Sequence, residues 1–376
     1  MRTERITACL LASAVFLTGS AAALSPRLEV TQRGTFLLIG NTLAHDCGII
    51  TIPLLGTIGT CGANAADSAP DMFWVADSPL AGQALADITN ATSRTTAALT
   101  VPGEASVTHA YLYWAGSQAT PDPDVTLKTP SGESGISALE CTGPVAGFGP
   151  GGTYQCVANV TSLVQAGGSG GYRVADVASA SLTDLSNSST ATGWWMVVLI
   201  NQPGSPYRQV TLFDGLDIAI DGAGVALSAS GFSVPSDGYD GWVGIVGYDG
   251  DQSTGDAVTF NGTVMSDALN PADNVMNSTR SSFGVAGTSS GDLPYLTGAA
   301  GSLSGLDIDI LAATSVLVPS STDFQVALET TGDSFLVGGV VTSISTRHPE
   351  FGGSPMLTTD LNGGLVLPGD VIEYKV

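Results

Sequence analysis

The run GWWMVVLIN at 193–201 is apolar at every position from Trp194 to Ile200, and VGIVG at 243–247 has the same character. Strands of this kind read as buried on both faces. The other strand candidates, several of which alternate apolar and polar residues with a period of two, are VTHAYLYWA at 107–115, YRQVTLF at 207–213, GVALSASGFSV at 224–234, AVTFN at 257–261, DFQVALET at 323–330 and FLVGGVVTSIS at 335–345. Turn residues separate them. The acids are 26 Asp against 8 Glu, with two Lys and 48 Gly, so the chain is rich in turn formers and poor in helix-surface residues. The expected fold is all-β, one large or two consecutive β-sandwich modules of jelly-roll type. One short helix is expected at Val160–Gln165, started by Asn159 and stopped by Gly167.

Residues 1–23 read as an export leader. Arg2 and Arg5 precede an apolar stretch, and Ala21-Ala22-Ala23 offers a cleavage site. No later segment has the length of apolar sequence that spans a membrane as a helix. The expected location is therefore secreted, extracellular or at the outer cell surface. Cys47, Cys61, Cys141 and Cys156 then form an even set in an oxidising compartment, and the Gly-rich loops favour the pairs Cys47–Cys61 and Cys141–Cys156. A net charge of −23 makes nucleic acid and anionic lipid poor partners.

After the leader, residues 24–104 read as an N-terminal lead-in holding the first cysteine pair. A first β region is expected at 105–206 and a second at 207–348, with the proline turn NQPGSP at 201–206 either dividing two sandwiches or looping within one. A linker follows at 349–358. Residues 359–376 stop within an apparent strand, as the front of a further repeat would.

The stretches FLLIGNTLAHDCG, GTCGANAADSAPDMFW and VTHAYLYWAG resemble the opening of large exported myxobacterial proteins, some labelled as gliding-motility or cell-surface proteins. GWWMVVLINQPGSPYRQVTLFDGL, YDGDQSTGDAVTFNG, SDALNPADNVMNST, GLDIDIL and TTGDSFLVGGVV are similar to a module shared by bacterial surface proteins, and DLNGGLVLPGDVIEYKV resembles the start of an immunoglobulin-like surface repeat. The resemblance implies attachment or cell-envelope interaction and brings no catalytic residue with it.

Three constellations carry chemistry. Asp249, Asp251 and Asp256 crowd the turn YDGDQSTGD, where hard oxygen ligands suit Ca²⁺, but Thr254 and Phe260 stand where an EF-hand loop needs Gly and Glu. Asp307 and Asp309 fall on one face of a strand, where two carboxylates repel unless a cation or hydrogen-bond donors intervene. Other acidic groups lie at Asp214, Asp217, Asp221, Asp237 and Asp240, and the sequence does not say which group would hold an ion. Trp194, Trp195 and Trp242 could stack on sugar rings if exposed, with core packing as the alternative. The match to G-x-S-x-G at 167–171 lies in a flexible glycine run and lacks the strand-to-helix setting of a nucleophile elbow.

These features predict a non-catalytic exported surface module, binding polysaccharide or another surface protein, with Ca²⁺ as a candidate ligand. A carbohydrate-active enzyme on a sandwich scaffold and a calcium-stiffened stalk are the alternatives.

Overall fold

A computed structural model of the chain describes residues 22–46, 72–74, 92–180, 191–250, 255–287, 300–347, 357–361 and 371–375. In chain order the first strands are β1 (Ala22–Thr42), β2 (Ala44–Asp46), β3 (Met72–Trp74), β4 (Arg94–Leu99), β5 (Ser106–Ser117), β6 (Asp124–Thr129), β7 (Gly132–Ser137), β8 (Glu140–Val145) and β9 (Thr153–Asn159). Helix α1 (Thr161–Gly167) follows, then β10 (Gly170–Ala175), β11 (Gly193–Asn201), β12 (Tyr207–Ile220), β13 (Val225–Ser230) and β14 (Gly241–Tyr248). The rest are β15 (Ala257–Phe260), β16 (Thr263–Val264), β17 (Arg280–Ser282), β18 (Val285–Ala286), β19 (Leu306–Ala312), β20 (Asp323–Glu329) and β21 (Ser334–Ser345). The fold is all-β, as the alternation predicts. At the start of α1 the backbone N–H of Thr161 donates to Asn159 Oδ1 at 3.0 Å, which is the helix start the sequence indicates.

An eleven-stranded sheet runs in the order β18-β17-β19-β14-β21-β12-β1-β11-β5-β9-β8. Its seventh strand, β1, next to the central β12, lies in the segment read from sequence as a lead-in. The first half of β1 pairs with β12 and the second, from Gly34 onward, with β11. Gly34 has φ +101°, and a Cβ there would stand 2.2 Å from the Ile200 carbonyl oxygen, so the handover from one partner to the other needs glycine.

At β1 the sheet folds over on itself. Phe36, Tyr113, Trp195, Val197 and Leu199 from one half meet Leu212, Val246, Tyr248, Ile308 and Leu336 from the other in a central core. Outside these, the sheet β4-β10-β6-β7 covers the β11 half, and β13-β20-β15-β16 covers the β12 half. The result is two sandwiches stacked back to back within one compact unit that ends at Thr346. The proline turn at 201–206 is the link between β11 and β12, on opposite sides of β1. The alternation of β11 shows why its sequence is apolar throughout: Trp194, Met196, Val198 and Ile200 face the outer core, while Trp195, Val197 and Leu199 face the central one.

The Cys141–Cys156 disulfide joins directly opposed residues of β8 and β9. Cys47 and Cys61 lie outside the described residues. Beyond the compact unit, residues 347–376 form a second unit, in which β22 (Leu357–Asp360) and β23 (Ile372–Lys375) pair antiparallel.

Gly40 is a point of close approach, both to the neighbouring strand β11 and to the opposite inner layer. A Cβ there would lie 2.4 Å from the Trp194 carbonyl oxygen and 2.5 Å from Ile308 Cδ1. Gly40→Ala is therefore expected to destabilise the protein by more than about 2 kcal/mol, read as a lower denaturation midpoint in urea.

Candidate metal centre

Strand β19 carries the sequence LDIDILA. Leu306, Ile308 and Ile310 point into the central core, so Asp307, Asp309 and Leu311 share the other face, where Leu311 joins the outer core. Both carboxylates are fully buried. On one side of β19 runs β14, and on the other β17, parallel to β19 with Ser281 opposite Asp309.

The segment 267–282 supplies the donors. Asp307 Oδ1 accepts the backbone N–H groups of Asn277 at 3.0 Å and Thr279 at 3.1 Å. Asp309 Oδ1 accepts the Ser281 hydroxyl at 2.6 Å and, more weakly, that of Thr279 at 3.4 Å. Asp307 Oδ2 and Asp309 Oδ2 have no hydrogen-bond partner among the described residues. Neither carboxylate belongs to an ion pair there. Burial pushes the Asp307 carboxyl up to about 8, against the pull of its backbone donors, and the nearby charge of Asp256 adds to the rise. Asp309 is held well above the usual carboxylate range by burial first, then by the charge of Asp307, with a smaller push from Asp267.

Two further groups reach the same place. Asp267 Oδ1 accepts the backbone N–H groups of Leu269 at 3.0 Å and Asn270 at 2.9 Å. The Asn270 side-chain nitrogen donates to Asp267 Oδ1 at 3.0 Å and to Ser281 Oγ at 2.9 Å, bridging the turn to the hydroxyl that holds Asp309. Asn270 is fully buried, and its Oδ1 and Asp267 Oδ2 make no hydrogen bond among the described residues. Gly250 closes the other end: a Cβ there would stand 2.0 Å from Asp307 Oδ2 and 2.9 Å from the Met276 carbonyl oxygen.

Of the acidic residues singled out in the sequence, the structure thus brings Asp256, Asp307 and Asp309 into one electrostatic group, with Asp249 adjoining through Gly250. Asp251 lies outside the described residues. Asp267, Asn270 and Ser281 escape a reading of the sequence because they are far from β19 along the chain; the only local signal is the turn spacing of Asp267 and Asn270 in SDALNP.

Two of the other acidic groups meet cations. Asp214 pairs with Arg27 and accepts the Tyr113 hydroxyl at 2.6 Å, and Asp240 Oδ1 accepts Arg208 Nε at 3.0 Å. Among the described residues no three acidic, histidine or cysteine side chains converge closely enough to hold an ion by themselves. An ion at β19 would need neutral oxygens as well, and Ca²⁺ ordinarily uses them.

The aromatic residues are committed to packing. Trp194 and Trp195 are both fully buried, with indole N–H groups donating to Thr95 Oγ1 and to Tyr248 Oη, each at 2.9 Å. Trp195 also stacks on Tyr113 at 3.8 Å. Neither ring offers a face to a sugar. Trp242 is half-buried, with Arg208 over its ring at 4.7 Å and Phe36 and Phe283 edge-on at 6.5 and 5.1 Å. Ser169, from the G-x-S-x-G match, bonds the Val101 backbone in an exposed turn before β10.

No protein-family model matches the chain, and no curated protein does. Among solved structures, the major capsid protein P2 of Bacteriophage PM2 is similar at 11% identity over 84% of this chain and 99% of that one, with a TM-score of 0.19. A likeness at that level carries no functional meaning here.

Asp307→Asn keeps an oxygen for the Asn277 and Thr279 donors and deletes a charge that burial penalises. In a chelator at neutral pH the variant is expected to be more stable than the parent by about 1 kcal/mol or more in denaturant titrations, because a raised carboxyl pKa costs folding free energy at pH above its unfolded value and Asn does not ionise.

Proposed function

We propose that this chain is a non-catalytic module of the cell exterior, exported by its leader and stabilised by a divalent cation held against β19. The observation that carries this reading is the pair of fully buried carboxylates on β19, each with an oxygen that no donor reaches and neither with a lysine or arginine partner among the described residues. A buried carboxylate without a counter-charge costs several kcal/mol, and a structural cation removes that cost.

The compartment fits the chemistry. A leader-like N-terminus and the Cys141–Cys156 bridge suit an exported protein, and extracellular modules work where calcium is abundant. The resemblance to myxobacterial surface proteins gives the module its context, with polysaccharide or another surface protein as its partner. A glycosidase would set its two carboxyl groups across a cleft open to the sugar; Asp307 and Asp309 are sealed beneath the 267–282 segment instead. Burial of Trp194 and Trp195 moves the emphasis from sugar binding by these rings towards a rigid scaffold.

Thermal unfolding with millimolar CaCl₂ and with EDTA tests the reading. At an ion concentration about 100 times the dissociation constant the gain is about 2.7 kcal/mol, seen as a clear rise of the midpoint. Identical midpoints in the two buffers would remove the cation from the account.

A further inference from the structure

The buried group on β19 has two ends, and they are not equivalent. At the Asp307 end, the backbone of Gly250 lies directly against Oδ2, as the 2.0 Å approach of a would-be Cβ shows. The Ser278 hydroxyl donates to the Gly250 carbonyl at 2.6 Å, and the Gly250 N–H donates to the Gly305 carbonyl at 3.2 Å, so this backbone is fixed in place. Space beside that oxygen is taken by the chain itself.

The Asp309 end differs. Asp309 Oδ2, Asp267 Oδ2 and Asn270 Oδ1 are three oxygens without a hydrogen-bond donor among the described residues, on side chains tied to one another through Ser281 and the Asn270 amide. Asn270 is the telling member, because it is neutral and wholly buried. Its amide nitrogen is consumed by Asp267 and Ser281, and turning the amide round would set its oxygen against the Asp267 carboxylate. The carbonyl is therefore left as an acceptor inside an acidic group that already has a surplus of acceptors. A buried acceptor is ordinarily paired, so this set calls for an electropositive partner.

We propose that a calcium ion binds between Asp309, Asp267 and Asn270, clamping the turn at 267–270 and strand β17 onto β19. This deepens the preceding reading and rests on it. Two carboxylates, one amide carbonyl and water are the hard oxygen ligands Ca²⁺ takes, and a set of this size leaves coordination positions for water. Asp267 is the partly exposed member, which gives the ion a way in from solvent. Calcium is preferred over magnesium because Mg²⁺ demands a small, near-ideal octahedron and gives up its water reluctantly.

Calorimetric titration of the EDTA-stripped full chain with CaCl₂, alongside melting curves, tests the assignment. Asp267→Asn is expected to weaken calcium binding by about tenfold or more while leaving the midpoint in EDTA unchanged or higher, since it removes a like charge. Asp267→Ser, which shortens the side chain, should weaken binding as well; the exposed Asp273→Asn should not. If the wild type responds to calcium and both Asp267 variants bind it as tightly as the parent, the site assignment falls and the cation-stabilised reading stands. If the wild type does not respond, both fall. A merely structural Asp267 would lower the midpoint in EDTA and leave calcium affinity intact, which also overturns the assignment.

Discussion

Both faces of the two inner layers are covered by protein, and everything polar placed there must find its partner without water. Most of it does. Gln155 Nε2 donates to the carbonyls of Gly215 and Gly338 at 2.6 and 2.9 Å, and its Oε1 accepts Tyr248 Oη at 2.5 Å, so one side chain on β9 joins the strands of the opposite layer. Asp214 is answered by Arg27 and Tyr113. Burial with full pairing makes these groups specific fasteners between apolar layers rather than defects. Asp307 and Asp309 are the charged departures on the inner strands: one oxygen of each carboxylate is satisfied and the other is not, whereas Thr211 and Thr342 leave only a neutral hydroxyl without a partner among the described residues.

The shortage of cations makes that departure informative. The sequence has 11 Lys and Arg against 34 Asp and Glu. Arg27 and Arg208 serve Asp214 and Asp240, and Arg280, one strand away from β19, donates to the carbonyls of Gly40 and Gly287. Asp309 must then be held by the hydroxyls of Ser281 and Thr279, which supply hydrogen bonds but no charge. In a protein so short of basic side chains, the buried pair is neutralised either by protons, in the direction its raised carboxyls take, or by the divalent ion proposed above.

Much of the fold was legible because its signals are local. The unbroken apolar run of β11 announced a strand covered on both faces, the turn residues announced the sheet breaks, and the closeness of Cys141 to Cys156 announced their bridge. What escaped was non-local. β1 lies in a stretch of weak periodicity, and its role depends on pairing with β12 and β11, more than 150 residues further along. The pairing of Asp307 with Asp309 was visible as a period-two pattern, whereas Asp267, Asn270 and Ser281 join them only because β17 aligns parallel to β19. Adjacent Trp194 and Trp195 had to face opposite ways, but only the second sandwich shows that both directions lead into a core.

The most direct test of the central claim is long-wavelength anomalous diffraction from crystals of the full chain grown with calcium. The account predicts an anomalous peak coordinated by Asp309, Asp267 and Asn270 oxygens at about 2.3–2.6 Å. A map without that peak would contradict it.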